Sequence, residues 1–495
     1  MADVGTHRSS AQIRAGLKHP VIDSDGHSID FGHLYQDYLR DAGGPNMVQR
    51  YAANIDMLTN LGPKWYRAGD AGRRSQRIPR PAWWAVPAGN ALDLATAKLP
   101  RLLYERLPEA GLDVTVLFAG TIIIDGLFPD EDVRRAACRA SNCLHRDVFS
   151  EFSDRIIPVA SIPAHTPAEA IAELEYCVKE LGYRAFTMPS YVKRPVPAHR
   201  DEFPRNYWID TYGIDSEHDY DPLWAKCLEL KVVPTFHSSS QGLAFRASIS
   251  NFTYNHIGHF AQSAEAVCKS LFMGGVTQRF PELNFGFLEG GAGWAATLFA
   301  DLVGHWKKRN PVALERVNPA RIDRDAFVAL CRKHGASLLG DALQPEHQAR
   351  LVTSVSTDHQ EDLAGLDEFA LTGIDKLADM RERFIKPFYF GCEGDDPMTG
   401  VAFDTRRNPL RLPLNAVFGS DIGHFDVPDI SEVLEETWEP VADGNMSEAE
   451  FRDFVFANPI RMWTRGNPDF FKGTVVEGEV AKFRQELALG RHQVA

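Results

Sequence analysis

Four short segments of this 495-residue chain each end an apolar run on a side chain that binds metal ions. In Val21–His27, Asp25 and His27 stand two apart; Val232–His237 ends on His237; Phe285–Gly291 carries Glu289 before two glycines; Val417–His424 carries Asp421 and His424. A parallel barrel presents reactive groups at its carboxyl-terminal rim in this way, one strand end after another. Asp25 and His27 share a face of an extended strand, so both can grip one ion. His237 is followed by Ser238, Ser239 and Ser240, a polar surrounding more open than a core histidine has. Asp421 closes a buried run, where a carboxylate is tolerated only with a cation or donors beside it. Each has a plainer alternative: Asp25 capping a turn, and His27 or His237 packed in the core.

Other side chains keep several readings. Glu289 can ligate a second ion, orient a histidine or cap the helix that follows. His424 can be a ligand or a substrate contact. His256 and His259 are spaced by three, which on a helix places both on one face, as substrate or supporting groups or merely as solvated side chains. Arg184, Lys193 and Arg194 can hold an anionic substrate, the last two reading more naturally as surface residues. Cys392 has no base to activate it and reads as a buried thiol. Trp65, Trp83, Trp84 and Tyr207 either form an apolar lid or pack in their loops.

The elements that must position these groups alternate along the chain. Strands are expected at Pro20–Ser24, Val114–Ala119, Ile156–Ile162, Arg184–Met188, Val232–Phe236, Leu283–Leu288, Phe388–Gly391 and Asn415–Gly419. Helices are expected at Phe31–Gly43, Glu131–Phe152, Pro167–Leu181 after the N-cap Thr166, Asp221–Leu230 with Asp221 as cap, Phe260–Gln278, Ala292–Lys308, Glu432–Trp438 and Glu448–Asn458. Eight strands alternating with helices define an α/β chain with a (β/α)8 TIM barrel carrying loop and helical insertions. A doubly wound sheet would want a Gly-rich loop after the first strand, and Ser24–Ser28 holds one glycine. The expected organisation is a flexible tail over 1–19, a barrel over 20–465 with insertions at about 45–100, 190–220 and 309–385, and a C-terminal extension over 466–495.

A formal charge of −14 makes nucleic acid and anionic membranes poor partners. Seven scattered cysteines without a CxxC pair point to reduced thiols and a cytoplasmic protein. No secretory signal and no membrane span is evident. A small-molecule substrate is expected, with a homodimer or a related subunit as partner, since aromatic-rich insertions offer apolar surface.

Asp23-Ser24-Asp25-Gly26-His27, His237 and Gly419-Ser420-Asp421-Ile422-Gly423-His424 resemble the amidohydrolase superfamily, in the branch of aminocarboxymuconate-semialdehyde decarboxylase. Asp221-Pro222-Leu223-Trp224, Phe280-Pro281-Glu282-Leu283, Glu289–Trp294 and Asn458-Pro459 extend the likeness over roughly residues 20–465. It implies that Asp25, His27, His237 and Asp421 are ligands on the first, fifth and last strands. The chain departs from the branch on the sixth strand, where Glu289 replaces the usual histidine. It also lacks a lysine on Tyr183–Ser190 for a bridging carbamate.

The candidate metal ligands are therefore Asp25, His27, His237, Glu289, Asp421 and His424, with Asp421 and Glu289 as catalytic groups. Six N and O donors exceed what one tetrahedral zinc uses. Without thiolate they suit one or two divalent ions, Fe or Mn rather than Zn. The favoured expectation, from dinuclear oxygenases that the chain resembles, is a non-haem Fe or Mn/Fe monooxygenase hydroxylating an amine nitrogen or carbon. The alternative is a single-metal hydrolase or non-oxidative decarboxylase. A minor one is a metal-binding partner subunit without activity.

Overall fold

The computed structural model of this protein describes residues 8–55, 64–82, 89–199, 206–240, 247–318, 321–348, 351 and 366–490. Among the described residues ten strands form in chain order: β1 (Ile22–Ser28), β2 (Val114–Ala119), β3 (Ile156–Ser161), β4 (Ala185–Met188), β5 (Val192–Pro195), β6 (Tyr207–Asp210), β7 (Pro234–Phe236), β8 (Phe285–Phe287), β9 (Phe388–Glu393) and β10 (Asn415–Gly419). Eight of them pair in the order β1-β2-β3-β4-β7-β8-β9-β10, with parallel neighbours throughout. The first and last strands then meet. Asp421 N–H donates to the Asp25 carbonyl at 2.9 Å, and His27 N–H to the Ile422 carbonyl at 2.8 Å. Gly419 permits this approach, because a Cβ there would stand 2.8 Å from the Cβ of Asp25. The result is the expected (β/α)8 barrel.

Every residue of β2, β4, β7, β8 and β10 is buried, as parallel strands covered by helices must be. The covering helices start where their sequences direct. Thr166 and Glu169 form a reciprocal capping box at the head of Pro167–Lys179. Asp130 accepts the Val133 N–H at the head of Glu131–Phe149.

Several expectations change. The flexible tail over 1–19 is corrected for its described part: Ser10–Gly16 is a helix capped by Ser9 and Gln12, with Ile13 buried in the main core. The segment after 465 enters the same core through Phe470, Phe471, Val480 and Phe483. Asp221 does not cap its helix; it lies in the first turn and pairs with Arg279 at 2.6 Å. The 190–220 excursion holds the antiparallel ribbon of β5 and β6. The described parts of 45–100 and 309–385 hold helices, among them Met47–Ile55 and the 16-residue Arg324–Leu339, with 3-10 turns and a π-helical turn at Arg381–Ile385. Among the described residues no helix is long and apolar enough to cross a membrane.

Candidate metal centre

All six expected ligands converge at the carboxyl ends of β1, β7, β8 and β10. Asp25 Oδ1 lies 3.3 Å from His27 Nε2 and 3.0 Å from His237 Nε2. Glu289 Oε2 lies 3.2 Å from His237 Nε2 and 4.0 Å from His27 Nε2. On the other side Asp421 Oδ1 lies 3.2 Å from His27 Nε2 and 2.6 Å from His424 Nδ1. The imidazoles of His27 and His424 stack with centroids 3.7 Å apart. The six fall into two four-residue groups, Asp25–His27–His237–Glu289 and His27–Glu289–Asp421–His424, each with donor atoms within 4.8 Å of one another.

Local backbone explains how the strands aim these groups. Between Asp23 and Gly26 the register of β1 against β2 slips, a bulge that re-aims the end of the strand. His27 Nδ1 faces the Phe118 carbonyl at 3.1 Å. An N–H there donates to that oxygen and leaves Nε2 as the ligand atom, the usual backing of a metal-binding histidine. Glu289 and Asp421 both adopt left-handed backbone, with φ 54° and 51°. Side chains other than glycine pay strain there, and such strain gathers at functional sites. Glu289 does not cap the following helix, whose first turn has no side-chain cap.

The electrostatics call for a cation. Asp25, Glu289 and Asp421 are three carboxylates, each at most 8% exposed. Glu289 Oε2 and both oxygens of Asp421 are removed from water, where a carboxylate needs a cation or donors close by. Glu289 Oε2 and Asp421 Oδ1 face imidazole nitrogens of the same cluster. Burial, then the charge of Asp421, holds the Glu289 carboxyl far above the usual carboxylate range. Burial likewise raises Asp421. Burial would also raise Asp25, but the charge and hydrogen bond of His237 hold it below the ordinary value. For His27, burial is outweighed by hydrogen bonds to Asp25 and Asp421, and its imidazole is raised to about 10. A proton on His27 thus does here what a metal cation would do better. The donor set, three buried carboxylates and three imidazoles with donor atoms within 4.8 Å of one another in each group, fits a divalent ion.

The remaining expected site residues divide. His259 lines both cavities that flank the centre, and His256 one of them. They do not share a helix face: Phe252–His256 ends, Gly258 turns left-handed, and a new helix begins at His259. The turn still brings their rings to 4.6 Å. Arg184 is not at the site. It precedes β4, at the amino end of the barrel, and donates to the carbonyls of Phe470 (2.6 Å) and Lys472 (3.0 Å). Arg194 is buried, not on the surface, and pairs with Asp210 at 3.0 Å. Cys392 is buried and its thiol pushed up by that burial. Trp65 packs under Arg73 and donates to the Ile249 carbonyl, Tyr207 stands on the β5–β6 ribbon, and Trp83 and Trp84 lie outside the described residues.

Two residues were not anticipated. Asp23 lies beneath the ligands and accepts from Asp25 N–H, Thr115 Oγ1, Ser420 N–H and Ser420 Oγ at 2.6–3.0 Å. Glu393 ends β9 and shares a cavity of about 300 Å³ with Glu289, Asp395 and Asp396. Burial and then the charge of Asp421 raise its carboxyl strongly. On the other side of the centre a cavity of about 330 Å³, floored by His27 and His424, is walled by Ile29, Ile123, Ile124 and Phe260.

A family model described as amidohydrolase matches residues 124–326. Over that stretch, about two fifths of the chain, the sequence is similar to the amidohydrolase family. Among solved structures, an amidohydrolase from Mycobacterium avium subsp. paratuberculosis K-10 shares 14% identity and a TM-score of 0.50, covering 90% of this chain and 100% of its own. A 4-oxalomesaconate hydratase from Rhodopseudomonas palustris shares 15% identity at a TM-score of 0.45, covering 94% and 99%. A 5-carboxyvanillate decarboxylase from Novosphingobium aromaticivorans, with bound manganese, shares 12% at 0.46, covering 90% and 97%. At these identities the likeness is one of fold.

Proposed function

We propose that this protein is a divalent-metal-dependent enzyme performing hydrolytic or non-oxidative carboxy-lyase chemistry on a small organic substrate. The observation that carries it is the four-donor group Asp25, His27, His237 and Glu289, with the Asp421 carboxylate buried beside it, 3.2 Å from His27 Nε2. Carboxylate and imidazole donors without thiolate suit manganese or iron before zinc. The bound ion would polarise a substrate oxygen and acidify a water.

The chain's own groups do the rest. Asp421 is the general base of this reading, a buried carboxylate on the rim whose carboxyl burial raises. His424 Nδ1, 2.6 Å from Asp421 Oδ1, holds that carboxylate in position. Glu289, whose carboxyl is raised by burial and then by the charge of Asp421, can take up a proton and return it to the product. The apolar walls of Ile123, Ile124 and Phe260 take the substrate body and exclude water.

The two overlapping ligand groups favour one second reading, a dinuclear Fe or Mn/Fe oxygenase. Metal content of protein expressed with manganese, iron or zinc, measured beside oxygen uptake, separates the two. One ion per chain with oxygen-independent turnover is the expected result; two ions with oxygen consumption would replace it by the second reading. A preparation that binds no ion under any loading would sink both.

A further inference from the structure

We propose that Asp30 binds a cationic nitrogen on the substrate, in the same cavity that the metal centre floors. The proposal rests on the functional reading above only for what happens at the reacting end. Asp30 follows His27 by three residues, so the two lie within about 10 Å along the chain. Both line the 330 Å³ cavity, together with Tyr35, Gly120 and His424.

The carboxylate is a built feature and not a stray surface acid. His145, 0% exposed on the helix Glu131–Phe149, sets its Nε2 3.1 and 3.0 Å from the two oxygens of Asp30. Gly120, at φ +62°, leaves the oxygens room on the other side; any Cβ there would overlap Asp30 Oδ2. The Asp30 side chain is consequently only 18% exposed. A carboxylate offers about four lone-pair positions, and one imidazole nitrogen occupies at most two of them. The remainder borders a cavity whose walls are largely Ile29, Ile123, Ile124 and Phe260.

A carboxylate against apolar walls wants a positive partner. The ammonium of Lys98, which lines with Asp30 a separate cavity of about 250 Å³, donates to the backbone carbonyl of Asp30 at 3.1 Å and lies over the Phe31 ring at 4.8 Å. Among the described residues lining this cavity and the acidic one beside Glu289, there is no lysine or arginine. An ammonium group on the ligand would meet the lone pairs that the single imidazole nitrogen leaves free, through a charge-assisted hydrogen bond. An anionic group at the same place would be repelled.

The test uses the manganese-loaded protein with benzylamine and benzyl alcohol as probes, titrated by calorimetry or saturation-transfer NMR. The two are alike in shape and differ in charge. Wild type should bind benzylamine at least about tenfold more tightly than benzyl alcohol, the share of one charge-assisted hydrogen bond. In Asp30→Asn, which keeps the size and the contact with Gly120, that preference should fall to about twofold or less, with benzyl alcohol binding unchanged. Wild type without a preference for the amine overturns the proposal whatever the variant does. So does a preference that survives in a folded Asp30→Asn. Bound metal, assayed on the same samples, reports separately. Metal without amine preference sinks this inference alone, whereas an Asp30-dependent amine preference without metal sinks the functional reading alone.

Discussion

The Asp23 carboxylate clasps Ser420 by two bonds, Oδ1 from the backbone N–H at 2.9 Å and Oδ2 from the hydroxyl at 2.7 Å. These residues stand two before Asp25 and one before Asp421, so the clasp joins the first and last strands directly beneath ligands from both. Residues that hold metal ligands in place commonly contribute 10–100-fold to affinity. Asp23→Ala is therefore expected to weaken metal binding by about 10–100-fold, measured by competition with a fluorescent chelator. Affinity within twofold of wild type would show that the clasp closes the barrel without orienting the site.

His237 makes the sharper test of the ligand set. Its ring is 1% exposed, packed against Phe118 and Phe260 with centroids 4.9 and 5.1 Å away, and its Nε2 meets Asp25 and Glu289. His237→Ala removes a donor atom itself, so affinity should fall by at least about 100-fold. The circular dichroism should stay that of the barrel, whose ladder this side chain does not enter. Metal content equal to wild type would make His237 a packed core histidine.

Asp125 gives a pH dependence remote from the metal. It is wholly buried and accepts from Tyr35 Oη, Thr121 Oγ1 and Ser141 Oγ, yet burial raises it to about 7. Between about pH 4 and 7 the folded chain therefore holds a proton that the unfolded chain has lost. Stability from this group is greatest at the acid end of that window, falls as pH rises through it, and is level above about 7. The total is on the order of a few kcal/mol. Asp125→Asn cannot ionise and should lack that slope. Denaturant midpoints of metal-free protein at pH 5 and pH 8 should fall more in wild type than in the variant; equal changes would show that Asp125 does not titrate there.

The sequence disclosed most where chemistry and strand pattern coincide. β2 and β10 lie over the residues expected, because Val114–Ala119 and Asn415–Gly419 are short, mostly apolar runs, broken only by Thr115 and opened by Asn415. The ligands at their rim were visible for the same reason. β7 and β8 are shorter than their apolar runs, since Val232, Val233 and Leu283 are buried without joining the ladder. Glu393 obeys the same rule as the other strand-end acids, a glutamate before glycine. It was passed over because the strand was expected to stop at Gly391. Arg184 was misassigned through direction: a residue before a barrel strand lies opposite the rim. The Asp30–His145 and Asp23–Ser420 pairs join positions 115 and 397 apart, and one sequence carries no local sign of such pairings.

Glu289 decides between the two mechanisms. Its carboxylate is common to both ligand groups, 3.2 Å from His237 on one side and 3.9 Å from His424 on the other. If one ion is bound, Glu289→Gln keeps a neutral oxygen donor, and most of the metal should remain while turnover falls. A general acid–base group contributes about 10²–10⁴-fold, so the loss should lie in that range and be the same with and without oxygen. If two ions are bound, Glu289 is, of the two side chains common to both groups, the one with two oxygens to bridge them, since His27 offers only Nε2; the amide should then drop the content from two per chain towards one. Oxygen-dependent turnover would then vanish with the second ion. Wild type and Glu289→Gln, compared for metal stoichiometry and oxygen uptake in the same preparations, give opposite patterns under the two mechanisms. The expected pattern is one ion in both proteins, no oxygen consumed, and the rate lost without the metal; a fall from two ions to one would hand the site to the oxygenase.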